Sequence, residues 1–429
     1  MKKIYLTLVF AISTMICIGQ LPYHLYNHTF PDVNSQNPKV NEMLEQVDVT
    51  NLQNYVDGLT SFINRRCDGS HIYDVKDWLV EKYISFGFEN IQFHEFLVTQ
   101  YIDTIPHYYY SAPNILAVQI GKTKPEEIVI CGAHYDSWVK AQMPYDVDTL
   151  RSPGADDNAS GVAGILETAR ILRNYEFERT IIFAGWNAEE VGLCGSEEYA
   201  KQCQKDSTDI VAYFNLDMTG YVNPCDDIHI HLLYTECDSL LGKFVKQVSH
   251  TYLPDINICQ AWLSHGDTDY SSFNRHGYQA ISPSEDVHHL SPYIHSVNDI
   301  VGLSVNNWEQ AEIFTKLNLA SVAHAAGIII ESVGENDYSN AEIERYEVYD
   351  IFGRLVFSEK NVWKNMEEIR VTNLQSGVYI MRIFTEKGDV FWADKSVDIN
   401  ADNEFKWPDM EEALKYPYTV LDLRKKYER

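Results

Sequence analysis

Five side chains of metal-binding type follow short apolar segments along this 429-residue chain. In chain order they are His134, Asp156, Glu190, Asp217 and His295. Zinc accepts both imidazole nitrogen and carboxylate oxygen, and a catalytic zinc keeps one position open for water. The set therefore predicts a hydrolase that works with bound metal ions.

The charge balance of this set favours two ions over one. Asp156, Glu190 and Asp217 supply three negative charges, whereas the two histidines are neutral as ligands. Two divalent ions leave one positive charge, which a bound hydroxide can neutralise, whereas a single ion leaves excess negative charge. We therefore predict two zinc ions per chain, although manganese or cobalt accepts the same types of ligand.

The segments before these residues have the pattern of strands buried on both faces. Continuous apolar runs occupy 128–131, 180–184 and 210–214, and a ligand group follows each of them. Between the first two runs, apolar residues recur at helical spacing within 161–172. Strand, helix and strand form the repeating unit of an open α/β sheet, in which ligands bind at the carboxyl ends of the strands. The predicted fold class is α/β, with three α/β/α layers around an open, mostly parallel sheet.

Five sequence motifs carry a resemblance to a known family. In chain order they are HYDS, GADDNASG, NAEEVGLCGS, LDMTGY and IHSVND. They resemble the successive motifs of the co-catalytic zinc exopeptidase family, which contains bacterial leucyl aminopeptidases and, as a divergent branch, glutaminyl cyclases. The resemblance extends over residues 45–333. It implies a zinc-dependent metalloexopeptidase, most simply an aminopeptidase, with peptides or proteins as substrates.

The resemblance also implies a ligand set for each ion. His134 and Asp217 would hold one zinc ion. Glu190 and His295 would hold the other. Asp156, the first of two adjacent aspartates, would bridge the two ions.

Three neighbouring carboxylates receive other roles. By the same resemblance, Glu189 is the general base that takes a proton from water and returns it to the leaving amine. Asp136 would orient the imidazole of His134 from behind. Asp157 is interpreted as a residue that shapes the turn rather than as a metal ligand.

One ligand and one motif have a second interpretation. His288 and His289 lie close to His295 in the sequence and are alternatives to it as the ligand. At 268–270, Thr-Asp-Tyr replaces the Ser-Asp-His of the family. The substrate-side role of that histidine therefore has no counterpart here.

Composition and charge exclude some classes of partner. The net charge is −28, and hydrophobic residues make up 45% of the chain. Nucleic acids and anionic membranes attract basic surfaces, so neither is an expected partner. The chain can bury a large core and is longer than one domain of usual size. Its oligomeric state cannot be predicted from these features.

Two segments precede the predicted catalytic domain at 41–333. Lys2 and Lys3 come before an apolar run that is too short to span a membrane, so 1–19 is predicted to be a secretory signal peptide. Residues 20–40 are predicted to be an irregular lead-in. Export to an oxidising compartment predicts that some of the seven cysteines left after cleavage form disulfides.

The C-terminal part of the chain has a different pattern. Alternating apolar and polar residues with glycine turns at 341–400 predict a small all-β sandwich. Its Tyr-Asp-x-x-Gly-Arg and Leu-x-x-Gly-x-Tyr elements resemble the C-terminal sorting domain of the type IX secretion system of Bacteroidetes. The resemblance implies an extracellular or cell-surface protein, with this secretion machinery as a partner. The alternative location is the periplasm, because a tail of unassigned role, 401–429, continues beyond the usual end of such domains.

Three alternatives to an aminopeptidase remain. A glutaminyl-peptide cyclotransferase on the same fold would use one metal and lack the double aspartate of GADDNASG. A catalytically inactive surface-binding module would have lost ligands. An exopeptidase acting from the carboxyl end would differ in loops that carry no recognisable motif.

Overall fold

The segments that the computed structural model of the protein describes are 28–102, 105–141, 145–235, 239–263, 267–329, 343–350, 355–360, 370–372, 379–385, 388–393 and 404–406. They belong to two compact units, 1–329 and 330–429. The predicted signal peptide at 1–19 lies outside the described residues, as does the tail at 401–429 apart from 404–406. The predicted domain limits stay predictions.

The first unit alternates helices and strands along the chain. Its helices are α1 Pro38–Leu44, α2 Val49–Thr60, α3 His71–Ser85, α4 Gly161–Leu172, α5 Cys194–Asp206, α6 Ser239–Tyr252, α7 Tyr270–Arg275 and α8 Trp308–Ala326. Its strands are β1 Ile91–His94, β2 Leu97–Ile102, β3 Ile105–Tyr110, β4 Asn114–Gln119, β5 Lys124–His134, β6 Arg179–Trp186, β7 Ile210–Asn215, β8 His229–Leu233, β9 Asn257–Ala261 and β10 Ala280–Ser284.

An eight-stranded sheet forms the centre of this unit, in the order β1-β4-β6-β5-β7-β10-β8-β9. Four neighbouring strands of the sheet, β6, β5, β7 and β10, run parallel to one another. Strands β8 and β9 are also parallel to each other. The pairs β1–β4, β4–β6 and β8–β10 are antiparallel. The prediction of an α/β fold with a mostly parallel central sheet is therefore confirmed, and the antiparallel pairs lie towards its two sides.

Helices cover both faces of the central strands. In β5, Val129 and Cys131 join the larger hydrophobic cluster, which also contains residues of α2, α4 and α8. The intervening Ile130 joins a second cluster with Phe273 of α7 and Cys203 of α5. Successive side chains of a strand point to opposite faces, so a strand covered on both sides needs the continuous apolar sequence seen here.

The described cysteines carry free thiols rather than disulfides. They are Cys67, Cys131, Cys194, Cys203, Cys225 and Cys259. The expectation of disulfides is wrong for this set, whereas Cys237 lies outside the described residues. Cys131 and Cys203 belong to different hydrophobic clusters, where they act as small apolar side chains. Along the described parts of the chain, we find no helix with the length and apolar character needed to cross a membrane.

The second unit contains short antiparallel strands. They are β11 Ile343–Asp350, β12 Leu355–Lys360, β13 Arg370–Thr372, β14 Tyr379–Thr385, β15 Gly388–Ala393 and β16 Glu404–Lys406. Four of them form a sheet in the order β12-β11-β14-β15, and Tyr346 and Val348 of β11 are buried. The complete sandwich stays a prediction.

Candidate active site

Three adjacent parallel strands end at the same edge of the central sheet, and each delivers a predicted site residue there. His134 is the last residue of β5. Glu189 and Glu190 follow the end of β6, and Asp217 follows the end of β7. Because β5 lies between β6 and β7, these side chains converge.

The first ligand group is centred on His134. Its Nε2 atom lies 3.2 Å from Oδ1 of Asp157 and 3.4 Å from Oδ1 of Asp217. The His134 side chain is 1% exposed, so these contacts are shielded from bulk solvent. Thr268 donates a hydrogen bond from Oγ1 to Oδ2 of Asp217 at 2.5 Å and so fixes that carboxylate from the other side.

The second ligand group is centred on His295. Its Nε2 atom lies 3.0 Å from Oδ2 of Asp157 and 3.0 Å from Oε2 of Glu190. His295 has a left-handed backbone with φ of 54°, and its ring contacts Trp138 edge to face at 5.2 Å between centroids. Asp157 therefore presents one carboxylate oxygen to each histidine and belongs to both groups.

Asp156, the predicted bridging residue, does not face the two histidines, whereas the carboxylate of Asp157 faces both. Oδ1 of Asp156 instead accepts a hydrogen bond from the N–H of Gly220 at 2.8 Å. Burial, reinforced by Asp299, raises the pKa of Asp156 well above its usual range. Adjacent residues in this non-helical turn direct their side chains differently, and Asp157 has φ −107° and ψ 89°. The geometry thus favours Asp157 over Asp156 as the shared carboxylate, while the role of either as a metal ligand stays a prediction.

Asp299 fixes the backbone of this turn. Its two carboxylate oxygens accept hydrogen bonds from the N–H groups of Asp156 at 2.9 Å and Asp157 at 3.1 Å. Asp299 is the last residue of the IHSVND motif, so the motif marked it as a candidate functional residue. The spacing along the sequence did not reveal its contact with the turn.

Arg65 is a further residue that the sequence analysis missed. It is buried, and its guanidinium donates hydrogen bonds to the carbonyl oxygens of Tyr135, Pro153 and Gly154. Burial lowers the pKa of Arg65 to about 10, although nearby carboxylates oppose this shift. The side chain therefore joins the loop after His134 to the turn that carries Asp157. No local motif marks it.

Asp136 holds the turn that carries the two glutamates. Its carboxylate accepts hydrogen bonds from the N–H groups of Glu189 at 3.1 Å and Glu190 at 3.3 Å. Nδ1 of His134 lies 3.2 Å from the backbone carbonyl oxygen of Asp136 and 3.5 Å from its carboxylate oxygen Oδ1. The carboxylate can therefore fix the glutamates while the same residue orients the imidazole.

Buried negative charge dominates the electrostatics of the site. Burial and then the charge of Asp157 raise the pKa of Glu190 to about 7. Hydrogen bonds to Asp157 and Glu190 raise the pKa of His295 to about 11. Without another cation, protons must therefore supply the positive charge, and a metal ion that binds here would displace them.

Glu189 and Asp269 add two more carboxylates next to the ligands. Burial raises the pKa of Glu189 well above its usual range, with His134 opposing and Asp269 reinforcing the shift. Burial also raises the pKa of Asp269 to about 7. Asp269 is the middle residue of the Thr-Asp-Tyr segment, which the sequence analysis recorded only as a departure from the family pattern.

The donor set fits two divalent ions. Oε1 of Glu190 and Oδ1 of Asp217 are shielded from solvent and accept no hydrogen bond from any residue that the structure describes. Each group offers one imidazole and two carboxylates within 4.8 Å of one another, which suits zinc. The three carboxylates balance two divalent ions as well with Asp157 as with Asp156.

The predicted alternative ligands for this site lie elsewhere. Nδ1 of His289 lies 2.8 Å from Asp226 and 3.0 Å from Asp286, away from the residues around Asp157. The ring of His288 contacts His231. The preference for His295 over this pair is therefore consistent with the geometry, while its role as a metal ligand stays a prediction.

Two parts of the chain match models of known families. Residues 114–321 match peptidase family M28. Residues 328–394 match the secretion system C-terminal sorting domain. The two matches lie in order along the chain, with the ligand groups inside the first.

The chain is also similar to individual proteins of known sequence or structure. A probable aminopeptidase of Saccharomyces cerevisiae is 26% identical over 279 residues, which cover 63% of this chain and 72% of the yeast protein. The crystal structure of the LapA aminopeptidase of Legionella pneumophila is 25% identical with a TM-score of 0.58, covering 70% of this chain and 78% of that one. A glutaminyl cyclase of Fimbriiglobus ruber has a TM-score of 0.53 at 16% identity, covering 65% of this chain and 95% of that one, and shares the fold alone.

Proposed function

We propose that this protein is a zinc-dependent aminopeptidase that releases N-terminal residues from peptides, because residues 114–321 match the model of peptidase family M28. The observation that supports this most strongly is the Asp157 carboxylate, which presents one oxygen to each of two histidine-centred groups. A shared carboxylate is what a site for two ions requires.

Each ion would have its own set of ligands. His134, Asp157 and Asp217 would hold the first, and Asp157, Glu190 and His295 the second. Two divalent ions, when bound, would lower the pKa of a water molecule between them and polarise the carbonyl of the scissile peptide bond. The carboxylates of Glu190 and Asp217 that receive no hydrogen bond at one oxygen are free to ligate.

Glu189 would move the proton. The backbone N–H of Glu189 donates a hydrogen bond to the Asp136 carboxylate, which fixes the backbone position from which the Glu189 side chain extends beside the ligands. Its pKa is raised by burial, and two nearby cations would lower that pKa again, because positive charge favours the carboxylate. Glu189 would take a proton from water as the carboxylate and return it to the leaving amine.

The alternatives make different demands on the same residues. A cyclotransferase that needs one metal gives no reason for a carboxylate shared by two histidines. An inactive binding module gives no reason to keep both ligand groups and Glu189 next to one another. Preference for the free amino end over the carboxyl end rests on the aminopeptidase relatives, and it needs a direct experiment.

The decisive experiment offers the zinc-reconstituted full-length protein three kinds of peptide. They carry a free amine, an acetylated amine or an N-terminal glutamine, and products are identified by mass spectrometry. We expect release of single amino acids from free-amine peptides, including glutamine as such, and none from acetylated ones. Glu189→Gln is the matched control for contaminating peptidases. Pyroglutamyl products would support the cyclotransferase, and release from the carboxyl end would overturn the aminopeptidase.

The proposed route of export has its own test. The sorting domain match supports an extracellular or surface protein of a Bacteroidetes-type bacterium, with type IX secretion machinery as a partner. The signal peptide at 1–19 would direct the first step across the inner membrane. Deleting everything after Val333 should leave active enzyme in the periplasm, because each of the two units is compact. Surface delivery of the truncated chain would refute the export role of 341–400.

A further inference from the structure

A second cluster of metal-ligand side chains lies outside the candidate active site. We call it the Asp286 cluster, and it consists of Asp226, His229, His231, Asp286 and His289. It comprises two overlapping groups of potential ligands, both of which contain Asp286. None of its members belongs to the two groups around Asp157.

The strands explain why these residues meet. His229 and His231 are two residues apart on β8 and therefore lie on the same face of the sheet. Strand β10 pairs antiparallel with β8, with Ser284 opposite His231, and Asp286 follows two residues later. The antiparallel register thus carries Asp286 past His231 towards His229.

One carboxylate faces three imidazoles. Oδ2 of Asp286 lies 3.5 Å from Nε2 of His229 and 3.0 Å from Nδ1 of His289. Oδ1 of Asp286 lies 3.5 Å from Nδ1 of His231. In a tetrahedral zinc site, N and O ligands about 2.0 to 2.1 Å from the ion lie roughly 3.3 Å apart. The observed spacings are close to that value.

Hydrogen bonds prepare His229 for ligation. Its Nδ1 lies 2.9 Å from the carbonyl oxygen of Asp227, to which it can donate its proton. This leaves the lone pair of Nε2 directed at Asp286, which is the arrangement seen in metal-bound histidines. The N–H of His288 donates to Oδ1 of Asp286 at 2.8 Å and fixes the carboxylate.

The other histidines differ in how readily they could ligate. His231 accepts a hydrogen bond at Nδ1 from the N–H of Val287 at 3.1 Å, so ligation through Nδ1 would replace that bond. His289 is half exposed and also lies 2.8 Å from Oδ2 of Asp226. That oxygen is shielded from solvent and accepts no hydrogen bond from the residues that the structure describes.

We propose that the Asp286 cluster binds one further divalent transition-metal ion of the zinc type. His229 and Asp286 are its central ligands. His231, on the same strand as His229, and His289 and Asp226, which lie outside the strands, are the further ligands. Two carboxylates and a divalent ion sum to zero net charge, so the ion neutralises the pair. Imidazole and carboxylate together favour zinc over calcium or magnesium, which prefer oxygen ligands alone.

The ion would brace the approach to the candidate active site. Glu285, next to Asp286, accepts hydrogen bonds from the N–H groups of Tyr221 at 3.2 Å and Ser291 at 3.1 Å. The chain then continues from Ser291 to His295. A metal ion held between β8 and Asp286 would therefore fix the start of the segment that carries His295.

Metal counting on the full-length protein tests the proposal. Protein stripped with a chelator is dialysed against zinc and freed of unbound metal. Elemental mass spectrometry then measures the number of zinc ions bound per chain. His229→Ala and Asp286→Asn are compared with the wild type, and His250→Ala serves as an exposed histidine control on α6. We expect wild type and control to retain one more zinc per chain than either cluster variant. Zinc should also raise the thermal midpoint of the wild type more than that of the variants.

The outcome is separable from the occupancy of the candidate active site. Only the difference between variants is used, so a lower count at the active site would shift all samples equally. His229 is partly exposed, and unfolding of His229→Ala without zinc should match the wild type, which checks its fold. Equal zinc content in the wild type, His229→Ala and Asp286→Asn would overturn the proposal.

Discussion

Replacing Asp157 or Asp156 with asparagine separates the two adjacent aspartates. In Asp157→Asn, the amide has one oxygen and one NH2 group in place of two carboxylate oxygens. In the native protein, the two carboxylate oxygens of Asp157 lie 3.2 Å from Nε2 of His134 and 3.0 Å from Nε2 of His295. One ligand group therefore loses its oxygen entirely, and the other exchanges an anionic oxygen for a neutral one.

The expected magnitude follows from these losses. Removing a residue that only orients a ligand costs about 10- to 100-fold in metal affinity. Losing a shared ligand should exceed this, so we expect at least about 100-fold weaker binding of one ion, or roughly 2.7 kcal/mol. In Asp156→Asn the amide oxygen can still accept from the N–H of Gly220, so the effect should stay below about tenfold.

Zinc titration with a competing chelator, alongside turnover of a free-amine peptide, measures both variants. Asp157→Asn should lose zinc and turnover together, with partial rescue of turnover by excess zinc. Asp156→Asn should keep zinc affinity and turnover within about tenfold of the wild type. Full zinc affinity in Asp157→Asn together with loss in Asp156→Asn would refute the exchange of roles inferred from the geometry.

Three further predictions test the base, the packing and the pH response. Glu189→Gln should lower turnover by about 100-fold or more with zinc content unchanged, whereas Glu190→Gln should lose zinc; the opposite pattern would reverse their roles. Gly195→Ala should destabilise the protein by at least about 2 kcal/mol in denaturant unfolding, because the added Cβ would lie 2.3 Å from the carbonyl oxygen of Asn187, whereas Gly185→Ala, with its nearest contact at 3.3 Å, should cost less. Burial lowers the pKa of His324 to about 4, below the roughly 6.5 of an unfolded histidine. Its neutral form therefore favours folding above pH 6.5, and up to roughly 3 kcal/mol is lost as the pH falls from 6.5 through 4. His324→Gln should lose less stability over this range, and identical pH curves for the two proteins would contradict the assignment.

The sequence predicted the central strands well because their apolar runs are continuous. The runs at 128–131, 180–184 and 210–214 correspond to β5, β6 and β7, and the ends of these strands place His134, Glu190 and Asp217 without further information. Burial on both faces requires such runs, so the pattern and the environment have the same physical cause.

The detailed site could not be predicted in the same way. Asp156 and Asp157 have identical side chains, and only the backbone angles of the turn decide which one faces the histidines. Arg65 acts through three distant carbonyl oxygens, and no local pattern reveals a partner so far along the chain. The Asp286 cluster depends on an antiparallel register between β8 and β10, which becomes visible only when the strands are paired.

Anomalous diffraction at the zinc absorption edge tests the central claim most directly, because it locates bound ions independently of activity. From crystals of the zinc-loaded protein we predict two peaks about 3.5 to 4 Å apart at the edge of the central sheet. One should lie among His134, Asp157 and Asp217, and the other among Asp157, Glu190 and His295. A single peak at this edge, or two peaks joined by a carboxylate other than that of Asp157, would contradict the account.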